Sequence, residues 1–268
     1  MSRIEETFAG LKAEGKGGLV MFVTAGHPSL EATAEIVPAM AEAGADVVEL
    51  GVPFSDPLAD GPVIQAASQH AIDGGTTTAR VLGCVERIRE RTDVPLVLMG
   101  SYNPILQYGV EAFAHMACRA GVDGVIVSDL PPSESEEWLR AARAQGLDTI
   151  FLVAPTSTPE RVAAACECST GFVYIVSRTG VTGARDELPQ DLVEMGGKVR
   201  EHTDRPLAVG FGIKTSHHVA QVNQIADAAV VGSALVRRIA EHGAQDGLVE
   251  VVRETVAELA RGKAPMSP

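Results

Sequence analysis

Short apolar runs rich in β-branched residues alternate with longer amphipathic stretches along the chain. The runs cover residues 19–24, 47–51, 95–99, 124–127, 149–153, 172–176, 207–210 and 228–231. Each is too short for a buried helix and nearly continuous in hydrophobicity, the pattern of strands covered on both faces. Between them lie helical patterns at 80–91, 110–120, 133–145, 159–166, 189–201 and 216–225. A further one opens at Ser29, a favourable cap, and closes at Ala43-Gly44. Ile4, Phe8 and Leu11 recur at helical spacing ahead of the first strand and predict an extra N-terminal helix.

Eight strand–helix repeats are what a (β/α)8 TIM barrel requires, and a parallel α/β barrel is the expected fold. A doubly wound open sheet is the alternative with the same pattern. Ala43-Gly44-Ala45-Asp46 before the second strand is echoed by Ala120-Gly121-Val122-Asp123 before the fourth. The glycine ends one helix and a short turn feeds the next strand, so these repeats belong to the fold and not to a site.

The length of 268 residues and 46% hydrophobic content suit a single barrel domain over residues 1–268. The formal charge of −13 repels nucleic acid and anionic lipid, and neither is expected as a partner. The first residues are charged and lack an apolar signal core, and no apolar run is long enough to span a bilayer, so a cytoplasmic protein is expected. Cys84, Cys118, Cys166 and Cys168 read as buried thiols in helices, and neither they nor His217-His218 have the spacing of a metal site.

Barrel enzymes carry their chemistry at the carboxyl ends of the strands. The end of the second strand gives Glu49-Leu-Gly-Val-Pro-Phe-Ser-Asp-Pro-Leu-Ala-Asp60-Gly-Pro62. Acids at loop entrances are ordinarily solvated turn formers or helix caps. Glu49 differs because Val47, Val48 and Leu50 read as interior, where a lone carboxylate is costly unless it is used.

Gly210-Phe211-Gly212 and Gly232-Ser233 end the last two strands without a Lys or Arg. An anion there would be held by main-chain amides and the start of the helix near Ser233. The polar, glycine-containing segment Ser177-Arg-Thr-Gly-Val-Thr-Gly-Ala-Arg-Asp-Glu187, with Arg178, Thr182, Gly183 and Arg185, reads as a lid. Tyr174 would place a polar tip over an apolar ring, and Phe22, Met99, Ile126 and Phe211 would wall an apolar pocket, although core packing explains these positions equally well.

These residues resemble a known family. Phe22-Val-Thr-Ala-Gly, the Glu49 to Pro62 block, Tyr102-Asn-Pro, Asp129-Leu-Pro, Ser177-Arg-Thr-Gly-Val-Thr-Gly183, Gly210-Phe-Gly-Ile213 and Gly232-Ser-Ala234 occur in the order of the tryptophan synthase alpha subunits, over essentially the whole chain. The resemblance implies cleavage of indole-3-glycerol phosphate to indole and glyceraldehyde 3-phosphate, without metal or organic cofactor. It implies Glu49 and Asp60 as the catalytic pair. Substrate would be bound by Phe22, Tyr174, Thr182, Gly183, Phe211, Gly212, Gly232 and Ser233. It also implies a pyridoxal-phosphate beta subunit as partner in an α2β2 complex, contacted through Pro53, Asp56, Pro57, Asn103 and Pro131. A free-standing lyase of the same family, or a non-catalytic phosphate-binding barrel, is the alternative, and the second has no use for a buried carboxylate. His27 and Ser101 depart from the family's usual residues, an acid or aromatic at the first and Tyr or Thr at the second.

Overall fold

All eight apolar runs are strands of one parallel sheet in a computed structural model that describes residues 1–57, 60–176, 190–210 and 212–263. They are β1 (Gly18–Thr24), β2 (Val47–Gly51), β3 (Leu96–Gly100), β4 (Gly124–Val127), β5 (Asp148–Ile150), β6 (Leu152–Val153), β7 (Val173–Val176), β8 (Leu207–Gly210) and β9 (Ala228–Val231). Their spatial order is β5-β4-β3-β2-β1-β9-β8-β7-β6. The two ends of that order are consecutive in the chain and parted only by Phe151. The run expected as one strand therefore pairs with β4 through β5 and with β7 through β6, and so closes a barrel of eight positions. The break has a local cause: the Phe151 N–H donates to Ser169 Oγ (3.1 Å) instead of a strand carbonyl, while the Phe151 carbonyl still accepts from Tyr174 (3.1 Å).

Alternation along each strand sorts side chains into two layers. Val20, Val47, Val97, Ile126, Ile150 and Val230 fill the barrel, whereas Val48, Leu50, Leu96 and Leu98 face the surrounding helices. The N-terminal helix Arg3–Ala13 contributes Ile4, Phe8 and Leu11 to the inner cluster and so plugs the amino end of the barrel. Ser2 starts it with a reciprocal cap: its hydroxyl accepts from the Glu5 N–H and the Glu5 carboxylate accepts from the Ser2 N–H. Helices Leu248–Ala260 and Tyr102–Tyr108 were not marked by the sequence pattern, and the one expected over 216–225 ends at Val222. Cys84 and Cys166 are buried, Cys168 is half-buried, and Cys118 is exposed, contrary to the expectation of buried thiols. No helix is long and apolar enough to cross a membrane among the described residues.

A repeated device ties the strands at the amino face. Asp46, Asp123 and Asp227 each stand just before a strand, and each accepts a hydrogen bond from the backbone N–H near the start of a neighbouring strand: Leu19, Leu96 and Leu207, at 2.8, 2.8 and 2.7 Å. Each also meets a cation, namely Lys263 for Asp46, Arg3 and Arg89 for Asp123, and Arg200 for Asp227. The Ala-Gly-x-Asp echo in the sequence is thus a strand-tying element. Asp123 is the most enclosed of the three, 6% exposed at its side chain. Removing one partner of a buried, hydrogen-bonded ion pair costs about 3–5 kcal/mol. Asp123→Ala should therefore lose stability of that order in urea unfolding, and a loss within 0.5 kcal/mol, about the scale of a neutral surface change, would show that this tie carries no weight.

Candidate active site

Glu49 follows Val47 on β2 at a spacing of two, which turns its side chain into the barrel. It is 0% exposed, and neither carboxylate oxygen has a hydrogen-bond partner among the described residues. An ionised carboxylate in that position has neither water nor a donor to replace water. Burial alone pushes its carboxyl up to about 8. At neutral pH the group is held mostly as the acid, ready to give a proton and, once it has done so, strongly inclined to take one back.

A cavity of about 720 Å³ opens above Glu49 at the carboxyl ends of the strands. Among the described residues, Phe22, Glu49, Asp60, Met99, Tyr174, Gly212, Gly232 and Ser233 line it. Phe22 and Glu49 are register partners on β1 and β2. Tyr174 enters from β7, opposite Leu152 and Ala208. Its phenol is raised well above the ordinary range by burial first, then by the charge on Glu49. A Cβ on Gly210 would sit 2.6 Å from the Tyr174 hydroxyl oxygen, so the glycine on β8 makes room for the ring.

Asp60 hangs over the same cavity from the loop after β2. Its backbone is fixed, with its N–H donating to Pro57 (3.1 Å) and its carbonyl accepting from Gln65 Nε2 (2.9 Å). Gly61 and Pro62 then start the helix Pro62–Asp73. The Asp60 side chain is half-buried, and burial raises its carboxyl as well.

The structure brings Glu49 and Asp60 to one cavity with two of the expected apolar walls, Phe22 and Met99. Ile126 does not join them: it is 0% exposed, belongs to the inner core and does not line the cavity. Its place on β4 lies level with Met99 in register, but its side chain is spent on packing the barrel. Ser177, Arg178, Thr182, Gly183, Arg185 and Phe211 lie outside the described residues.

Pro53, Asp56, Pro57, Asn103 and Pro131 occupy segments that follow the carboxyl ends of β2, β3 and β4. Asp56, Asn103 and Pro131 are exposed there, and Pro53 and Pro57 half-buried. Ser101 lines a recess of about 30 Å³ beside Asp60, together with Phe54 and Ser128. His27 is buried with its ring edge-on to His70, centroids 5.0 Å apart, and does not line the cavity.

Leu152, Arg161 and Asp191 line the cavity and were not singled out from the sequence. Arg161 and Asp191 stand in the first turns of the helices Pro159–Cys168 and Gln190–Arg200. First turns after barrel strands face the same end as the strand termini, and that is the signal that could have found them.

The family model described as "Tryptophan synthase alpha chain" matches residues 8–264. A tryptophan synthase alpha chain of Geobacter sp. strain M21 is 50% identical over 262 residues, 98% of each chain. That of Geobacter sulfurreducens is 52% identical over 237 residues, 88% of this chain and 90% of the other. Among solved structures, a Mycobacterium tuberculosis tryptophan synthase chain superimposes with a TM-score of 0.91 at 40% identity, covering 100% of both chains.

The buried acid makes stability depend on pH in a definite direction. An unfolded Glu ionises near pH 4.5, whereas folded Glu49 keeps its proton up to about 8. Between those values the unfolded chain releases the proton and the folded one does not, so stability falls as pH rises, by up to about 1.4 kcal/mol per pH unit. Glu49→Gln removes the titration. Denaturant unfolding of the two proteins should show a difference that grows in favour of Gln from pH 5 to pH 8 and then levels off, whereas a pH-independent difference would mean that Glu49 is ionised inside the fold.

Proposed function

The chain belongs to the tryptophan synthase alpha chain family, and from that premise we propose that it cleaves indole-3-glycerol phosphate to indole and glyceraldehyde 3-phosphate, acting as a single-domain subunit over residues 1–268. The observation that carries the reading is Glu49: a fully buried carboxyl without a hydrogen-bond partner among the described residues, raised to about 8, facing a cavity with a second acid. A binding protein gains nothing from burying such a group, whereas a proton-transfer enzyme needs it.

The cleavage is a retro-aldol. A proton is added to indole C3, the bond from C3 to the glycerol carbon breaks, and the proton of the hydroxyl on that carbon leaves as the aldehyde forms. Glu49, mostly protonated at neutral pH, supplies the proton to C3 and as carboxylate accepts the hydroxyl proton, so that it ends the cycle as it began. Protonation at C3 spreads positive charge to the indole N–H. The Asp60 carboxylate stabilises that charge as it develops, which lowers the barrier more than it strengthens ground-state binding. Phe22, Phe211 and Tyr174 pack the ring. The steps written this way are acid–base chemistry and call on no cofactor.

The phosphate is bound by main-chain amides at Gly212, Gly232 and Ser233, and Thr182 and Gly183 are proposed as further binding residues. Gly232 caps the helix Ser233–His242 without a side-chain hydrogen bond, which leaves the first amides of that helix for an anion. Indole passes to a tryptophan synthase beta subunit docked on the loops of Pro53, Asp56, Pro57, Asn103 and Pro131. The exposure of Asp56, Asn103 and Pro131 supports that surface.

Release of indole from indole-3-glycerol phosphate, measured with and without a beta subunit, tests the reading, and no indole under either condition would end it. Glu49→Gln should keep the fold and lose about 100-fold to 10,000-fold in turnover, the usual worth of general acid–base catalysis; wild-type-like turnover would remove Glu49 from the mechanism.

A second pair of variants separates the two ends of the cavity. Asp60→Asn should lower turnover and leave the affinity for glycerol 3-phosphate near that of the wild type. Gly212→Val should do the opposite to affinity, because φ at Gly212 is +86°, where a β-branched residue is strained, and because its side chain would occupy the anion's approach. Calorimetry showing unchanged affinity in Gly212→Val would contradict the phosphate placement.

A further inference from the structure

The carboxylic acids and bases lining the cavity, among the described residues, are Glu49, Asp60, Asp191 and Arg161, of which Glu49 is mostly neutral at pH 7. Three are acids and the protein as a whole carries −13, so a doubly charged phosphate approaches against the field of the molecule. Arg161 is the one base of the set. Its placement is electrostatically unfavourable for the fold. It lies in the first turn of the helix Pro159–Cys168, where the peptide dipoles present their positive end and disfavour a cation.

Among the described residues, no side chain is bonded to its guanidinium to offset that. The guanidinium forms no ion pair and donates no hydrogen bond to a described residue, and only its backbone N–H is engaged, with Thr158 Oγ1. Arg3, Arg87, Arg89, Arg91, Arg200 and Arg253 have acidic partners, whereas Arg161 shares the lack of one among the described residues with Arg119, Arg140, Arg143, Arg237, Arg238 and Arg261 and differs from them in lining the cavity. This exposed arginine, without an ion pair among the described residues, stands in the first turn of a helix and on the rim of the cavity, where it faces what enters.

We propose that Arg161 is a steering residue for the anionic substrate: its guanidinium at the cavity rim draws the phosphate dianion toward the amide-lined end at Gly212, Gly232 and Ser233 without bonding to it. The topology keeps the two apart. Arg161 follows β6, whereas the glycines follow β8 and β9, and β7 stands between β6 and β8. Charge acts across that gap where a hydrogen bond does not reach. The inference rests on the proposed use of a phosphorylated substrate. A unit charge and a dianion about 10 Å apart in water attract enough to change affinity about fourfold. That attraction survives at 0.01 M ionic strength, where the screening length is about 30 Å, and vanishes at 1 M, where it is about 3 Å.

The test is calorimetric titration of wild type, Arg161→Gln and Arg161→Lys with glycerol 3-phosphate at those two ionic strengths, with thermal midpoints recorded alongside. Arg161→Gln should bind about three- to fivefold more weakly at low salt and equally at high salt, while Arg161→Lys follows the wild type throughout. The thermal midpoint of Arg161→Gln should be unchanged or raised, because an unfavourable helix-dipole contact is removed; a purely structural arginine would lower it. Equal affinity of wild type and Arg161→Gln at low salt overturns the proposal, as does a loss that persists undiminished at high salt, which marks a direct contact. The lyase reading is separated by its own assay. A wild type that shows the salt-dependent difference yet releases no indole keeps the steering role and loses the reaction.

Discussion

The site depends on one neutral carboxyl held inside a barrel. Glu49 sits on the face of β2 that fills the barrel interior, fully enclosed and without a hydrogen-bond donor among the described residues. Water-free surroundings make its charged form expensive, and the same expense keeps a proton on it up to about pH 8. The cost to stability and the capacity for acid–base work are one physical fact. A donor placed to satisfy this carboxylate would stabilise the charged form and lower its affinity for the proton.

Acids at the two ends of the barrel are treated in opposite ways. At the amino end, Asp46, Asp123 and Asp227 are all paired with cations and bonded to strand amides. At the carboxyl end, Glu49 and Asp60 are buried to different degrees, both with carboxyls raised by burial, and neither has an ion-pair partner among the described residues. Acids paired with cations and strand amides hold strands in register, although burial still outweighs the partners of Asp46 and raises its carboxyl. Those left uncompensated remain available to a substrate, and the protein concentrates them where the strand ends, the loop after β2 and the helix first turns converge. The N-terminal helix completes the division by plugging the amino end with Ile4, Phe8 and Leu11, which leaves the carboxyl end as the open face of the inner core.

Closure of the sheet gives this arrangement its rigidity. The chain crosses from β5 to β6 at Phe151 without leaving the barrel wall, so the two ends of the sheet are joined by a single residue instead of standing as two exposed edges. Tyr174, whose N–H binds the Phe151 carbonyl, is thereby fixed at the point of closure, and Gly210 leaves the space its ring occupies.

Much of this was legible in the chain itself. Eight apolar runs alternating with amphipathic stretches pointed to a parallel sheet covered by helices, because a parallel strand buried on both faces must be hydrophobic throughout and the helices between must be amphipathic; their number favoured the barrel over an open sheet. Glu49 was visible as a charge inside such a run, and Gly212, Gly232 and Ser233 as strand-end residues whose amides an anion could approach. Other features have no local sign. The interruption at Phe151 depends on Ser169, eighteen residues away in sequence, offering its hydroxyl. Ile126 and Met99 are register partners facing the same barrel interior, and only packing in the closed barrel decided that Ile126 is fully buried in the core while Met99 stays partly open to the cavity. Arg161 and Asp191 read as ordinary helix residues until the barrel curves their first turns over the same opening. Periodicity fixes which elements form and which face of each is apolar; only the closed barrel decides which side chains share a cavity, since that depends on contacts between segments that the sequence keeps far apart.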